Sequence, residues 1–166
     1  MKKLTYLVLL LSVFMFFGCE AKKEEKEDNT NTEQKEEDIK GDYNLNEAFS
    51  FMGFQITIKD PKGIITIDKE MSADNGKKVI KVPVVVKNNN KDKDHLSMFY
   101  YKFYNAKNET LSSKGSYFND SVDYAGDINP GEKYEKYFYI PYEGSGKYIV
   151  EFNNFSVKKK IVISVK

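Results

Sequence analysis

Ile80-Lys-Val-Pro-Val-Val-Val-Lys87 is the stretch on which the fold turns. Ile80, Val82, Val84 and Val86 alternate with Lys81, Pro83, Val85 and Lys87, so apolar side chains recur every second residue and share one face of an extended chain. β-Branched side chains pack well on such a pleated surface. Pro83 donates no ladder hydrogen bond, so the strand either lies at a sheet edge or turns that position away from its neighbour.

The same period spreads outward in both directions. Upstream, Phe49, Phe51, Phe54, Ile56 and Ile58 alternate with polar residues, and Gly53 marks a bulge or bend. Asp60-Pro-Lys-Gly63 is a turn, and Ile64–Asp68 a short strand. Downstream, Asn88–Asp94 breaks the pattern. Met98–Tyr104 then reads as a strand with Phe99, Tyr101 and Phe103 inward and Tyr100, Lys102 and Tyr104 outward. Ser112–Gly126 is weakly patterned, with a short strand near Tyr117. After the Asn129-Pro-Gly131 turn, Tyr134, Lys136, Phe138 and Ile140 line one face, and Tyr137 and Tyr139 the other. Tyr148–Phe152 and Ile161–Val165 are the closing strands.

No segment carries an apolar stripe of helical period. About seven short strands joined by Gly, Pro and Asn turns predict an all-β fold, an antiparallel immunoglobulin-like two-sheet sandwich over residues 41–166. The chain has 166 residues with twelve Tyr, twelve Phe, no Trp and one Cys, so its core is aromatic and lacks a Cys-Trp-Cys centre.

The first forty residues have another character. Lys2 and Lys3 precede fourteen mostly apolar residues, Leu4–Phe17, which as a helix cover about 21 Å. That is short of the roughly 30 Å hydrocarbon core, so 1–18 reads as an export signal that is removed. Gly18-Cys19 closes the run and resembles the lipobox of bacterial lipoproteins. The resemblance implies diacylglyceryl attachment at Cys19 and anchoring on the outer face of the cell membrane, with two acyl chains making the anchor stable. Residues 20–40, EAKKEEKEDNTNTEQKEEDIK, read as a disordered charged tether. As a coil the tether spans about 25 Å on average, with an extended limit near about 70 Å.

Five lysines against nine acids leave the tether at −4, and nineteen lysines against sixteen acids leave residues 41–166 at +3. That charge is too small for a nucleic-acid footprint. Once Cys19 is acylated there is no free thiol, and His95 is the single histidine. No zinc site, nucleophilic triad or acid/base pair can be assembled from such a set, so no catalytic residue, cofactor or enzyme activity is expected. A weak calcium alternative gathers Asp120, Asp123 and Asp127, with Asn119 and Asn129, in one loop. Tyr100, Tyr104, Tyr137, Tyr139 and Tyr142 are the possible binding surface, because a row of exposed tyrosines binds sugar or protein at low entropic cost.

Val82-x-Val84-x-Val86-Lys-Asn88, Phe103-Tyr-Asn-Ala-Lys-Asn108, Ile128-x-Pro130-Gly131 and Phe138-x-Ile140-Pro141 together resemble a family of immunoglobulin-like domains in Gram-positive surface lipoproteins. These are similar in fold to the telokin-like immunoprotective antigens of mycobacteria. The family pattern has no catalytic residues to carry over. The expectation is a membrane-anchored, non-enzymatic binding module whose partner is a protein or cell-wall glycan. The alternative is an accessory subunit of a membrane or cell-wall complex with no soluble ligand.

Overall fold

The computed structural model describes residues 41–166, so the signal segment, Cys19 and the tether lie outside the described residues. Ten strands follow in the order β1 (Asp42–Tyr43), β2 (Ala48–Phe51), β3 (Phe54–Ile58), β4 (Gly63–Thr66), β5 (Lys78–Asn88), β6 (Tyr101–Tyr104), β7 (Thr110–Leu111), β8 (Lys133–Pro141), β9 (Gly146–Asn153) and β10 (Lys158–Val165). They form two sheets. One has the order β1-β10-β9-β6-β7; in the other β5 is central, with β3 and β4 along one edge and β8 along the opposite one. All pairs are antiparallel except β1 on β10. The order β10-β9-β6 in one sheet and the β5–β8 pair in the other are those of an immunoglobulin-like sandwich, with a loop in place of one edge strand.

β5 is not an edge strand, and its proline is accommodated by the second of the two predicted arrangements. β3 leaves β5 at Ile58↔Val84 and β4 joins it at Gly63↔Lys81, which leaves the chain from Lys59 to Lys62 to cross the interval. Lys59 N–H donates to the Pro83 carbonyl at 2.9 Å and Lys62 N–H to Lys81 at 2.8 Å, so odd-numbered residues of β5 address this edge. The donor that Pro83 lacks therefore faces the crossover, where no strand pairs.

Ile80, Val82, Val84 and Val86 are all buried between the sheets, as the alternation predicts. Phe138 of β8, beside them in the same sheet, meets the aromatic rings of β6 and β9 from the facing sheet, with Tyr101 and Phe138 rings 4.8 Å apart and Phe103 and Phe138 5.2 Å apart. An aromatic cluster thus packs the centre of a sandwich whose sequence has no tryptophan and no second cysteine. Tyr148 is the third residue of β9, at the corner where the chain returns from β8. Its hydroxyl donates to the Gly144 carbonyl at 2.8 Å and accepts from Glu143 N–H at 2.9 Å, which is the tyrosine corner of this architecture.

Three local expectations are corrected. Met52 and Gly53 both have positive φ, 51° and 75°, and form the tight turn of a β2–β3 hairpin where one bent strand was expected. A Cβ at Gly53 would also run into Asn90 Oδ1, so glycine is required there twice over. Phe99 does not point inward. Ser97 Oγ accepts from Phe99 N–H at 3.3 Å and starts a 3-10 turn over Met98–Tyr100, and β6 begins only at Tyr101. Tyr117 lies in a 3-10 turn, Gly115–Tyr117, and not in a strand.

Candidate functional site

The segment from Ser112 to Tyr124 is held on the outer face of the β5–β8 pair by its backbone. Lys114 N–H donates to the Tyr139 carbonyl at 2.9 Å, and Tyr137 N–H to the Asp120 carbonyl at 3.1 Å, so the segment also closes the free edge of β8. Beneath it lies a second small core of Ile67, Val79 and Tyr139. Phe118 stacks on Tyr139 with centroids 3.8 Å apart and planes 10° apart. Lys81 Nζ sits 3.9 Å from the centre of the Tyr137 ring and 2.8 Å from Asp120 Oδ2. Burial alone would raise the Asp120 carboxyl, but the hydrogen bonds from Lys81 and Tyr139 outweigh it and leave it below its ordinary value. Burial, reinforced by Asp120, pushes the Tyr139 hydroxyl up to about 12.

A second knot ties this segment to the β4–β5 loop. Asp74 accepts from Lys114 Nζ at 2.7 Å, Lys77 Nζ at 2.7 Å and the Tyr117 hydroxyl at 2.9 Å, while the Ser72 hydroxyl donates to Tyr117 at 2.9 Å. Lys114 first, then Lys77 and Tyr117, hold the Asp74 carboxyl well below the usual carboxylate range. The knot forms one wall of a groove of about 730 Å³ at the end of the sandwich where β5 begins and β8 ends. Val79, Leu111 and Tyr142 make its apolar side, and Lys77, Lys78 and Lys114 its cationic side. Lys77 and Lys114 are already paired with Asp74, whereas Lys78 is exposed to solvent. Glu143, on the groove's far side, accepts from Asn105 Nδ2 at 2.7 Å.

The five tyrosines predicted as one surface are dispersed. Tyr139 is 1% exposed beneath Phe118, and Tyr137 is half-buried beside Lys81. Tyr142 lines the groove. Tyr104 lies on β6 in the other sheet, and Tyr100 packs its edge on Phe51, 6.1 Å away at the opposite end of the molecule. The physical reason is topological. Period-two reading assigns a residue to the outside of its own sheet, but β6 and β8 belong to different sheets whose outer faces look in opposite directions.

The calcium alternative is also corrected, because its three carboxylates are separately engaged. Asp120 takes Lys81 and the Tyr139 hydroxyl; Asp123 accepts from the Tyr101 hydroxyl at 2.6 Å and the Ser113 hydroxyl at 2.8 Å; Asp127 stands 3.4 Å from both Lys93 Nζ and His95 Nδ1. No set of three or more ligating side chains that could hold a metal ion occurs among the described residues. His95 sits on an exposed loop, as expected of a surface histidine, and Ser97 is spent as the cap of the turn after it.

Lys81, Asp74 and Lys114 were not anticipated as site residues. Lys81 alone carried a signal, a cation between Ile80 and Val82 on the strand face that Tyr137 and Tyr139 also share. Asp74 and Lys114 lie in segments without periodicity, 40 residues apart, and nothing short of the fold brings them together.

No family model matches the chain, and no curated protein is similar to it. Solved structures are similar. A candidate lipoprotein from Staphylococcus aureus superposes with a TM-score of 0.53 at 20% identity, over 77% of this chain and 92% of its own. An uncharacterised β-sandwich protein from Clostridium difficile gives 0.51 at 20% identity, over 89% of this chain and 100% of its own. MPT63, a secreted protein of Mycobacterium tuberculosis, gives 0.53 at 14% identity, over 74% and 95%. At these identities the likeness is one of fold, and the fold is an all-β sandwich.

Proposed function

We propose that this chain is a lipoprotein held on the outer face of a bacterial membrane through diacylglyceryl Cys19, and that its sandwich is a non-enzymatic binding module. The ligand, a protein segment or a cell-wall glycan, occupies the groove beside Lys78 and Tyr142. One observation carries this reading: the groove opens at the end of the sandwich opposite to the end at which the chain arrives at Gly41. The groove therefore lies at the far end of the domain from Gly41, the residue through which the tether joins it. The lipobox at Gly18-Cys19, and neighbours in fold that include a candidate lipoprotein and a secreted protein, support the location. The tyrosine corner at Tyr148 favours the immunoglobulin-like lipoprotein family, with the telokin-like antigens among its relatives in fold.

A second reading, an accessory subunit with no soluble ligand, is favoured by the uncovered outer face of the β6–β9–β10 sheet. Tyr104, Ile149 and Val162 stand side by side there in register, and Val162 is exposed. Cross-linking on intact cells separates the two readings. Lys78→Glu reverses an exposed charge at the groove, and loss of a captured partner with this variant, but not with Val162→Lys, supports the groove. Loss with Val162→Lys alone supports the accessory reading, and identical captures from all three chains refute both.

A further inference from the structure

The end of the sandwich where the chain arrives carries the two most exposed aromatic side chains among the described residues, whereas the fully exposed Met71 lies in the β4–β5 loop. Phe155 is fully exposed at the tip of the β9–β10 hairpin, Phe99 is 86% exposed, and Met98 is 53% exposed. Register places them together: Tyr101 pairs with Phe152 and Lys158 with Asn153, so the turn before β6 and the hairpin tip project from the same end of one sheet. Gly41 accepts from Lys160 N–H at 2.8 Å, and β1 runs parallel to β10, so residue 41 also comes in from the hairpin end.

Both tips are constructed. Asn153 Oδ1 accepts from Phe155 N–H at 2.8 Å, and Asn154 Oδ1 accepts from Ser156 N–H at 3.2 Å and Val157 N–H at 2.7 Å. They hold Phe155 at φ 72°, a left-handed conformation that is costly for a bulky residue. An exposed aromatic kept in a strained backbone is a poor choice for stability alone. Ser97 holds Phe99 outward in a comparable way.

We propose that this end docks on the lipid surface, with Phe155, Phe99 and Met98 inserted among the headgroups and upper acyl chains and with Lys158, which also pairs with Glu151 at 3.4 Å, at the foot of the same hairpin. The inference rests on the lipoprotein reading above. Aromatic rings with neighbouring lysines suit the interface between water and hydrocarbon, and narrow apolar tips suit a fluid partner better than a flat protein face does. The sequence before Gly41 supplies the remaining argument. Only 21 residues separate it from Cys19, so an anchored molecule has this end within reach of the bilayer, and the anchor raises the occupancy of a surface contact that the domain also makes by itself.

The test uses the chain from residue 19 onward with Cys19→Ser, so that no acyl group takes part, sedimented with phosphatidylglycerol vesicles at 0.15 M and 1 M salt. Wild type is expected to co-sediment at both salts, since insertion is apolar. Phe99→Ser with Phe155→Asn is expected to lower the partition coefficient at least about tenfold. Its melting temperature should be unchanged or raised, because asparagine tolerates the left-handed conformation. Failure of the wild type to bind, loss of its binding at 1 M salt, or equal binding by the double variant would overturn the proposal. None of these outcomes bears on acylation, which is read separately from the fate of Cys19→Ala in cells.

Discussion

Two tyrosine hydroxyls show how much depends on a single polar atom. The Tyr148 hydroxyl closes the corner between β8 and β9 by bonding Glu143 N–H and the Gly144 carbonyl, so Tyr148→Phe leaves two backbone groups without that partner. Denaturant unfolding is expected to show a loss of about 1–2 kcal/mol. Tyr134 is the reverse case: its hydroxyl is buried and has no hydrogen-bond partner among the described residues, and burial pushes its pKa up. Tyr134→Phe removes an unsatisfied group while keeping the ring, so the same measurement is expected to show a gain of about 1 kcal/mol. Changes of the same sign in the two variants would contradict this assignment.

At the scale of the element, the knot at Asp74 joins the β4–β5 loop to the 112–124 segment. Its folded-state carboxyl lies below its unfolded value, so its contribution is present at neutral pH and is lost as pH falls below about 4 toward the folded value. Lys77 is shifted upward by the same pairing, so its contribution persists below its unfolded value and fades only in strong alkali. Asp74→Asn is therefore expected to flatten the acid limb of the melting temperature between about pH 5 and pH 2. An acid limb as steep as that of the wild type would count against the knot.

The elements also show which parts of the fold were legible. β5, β8, β9 and β10 each place alternate residues against a packed centre, so the period of two exposed them directly. The sequence misled at Phe99 because one hydroxyl, on Ser97, overrides an apolar alternation and tightens the chain into a 3-10 turn. It was silent over 112–124, where order comes from Asp120, Asp123 and Lys114 reaching other strands and loops. The tyrosine surface failed for a related reason: alternation assigns sides within a strand but does not tell which sheet the strand joins.

Over the whole molecule, the two ends of the sandwich differ. One end holds the groove with Lys78, and the other holds Phe99, Phe155 and the arriving chain. Anchoring through Cys19 predicts that Cys19→Ala releases the protein into the medium or leaves it unprocessed, as fractionation and immunoblotting would reveal. Normal processing with normal membrane retention would refute lipidation. No helix among the described residues is long and apolar enough to cross a membrane.

The parallel pairing of β1 on β10 has a mechanical meaning as well. A pull between the groove end and Gly41 draws β1 along its own axis, so its bonds to β10 are loaded in shear and share the force instead of parting one at a time. Immediately after β1, Asn46 N–H is fastened to the Ile58 carbonyl at 2.7 Å, which passes the load on to the other sheet. The sandwich is thus strung between its two ends in the direction in which its strands resist extension best.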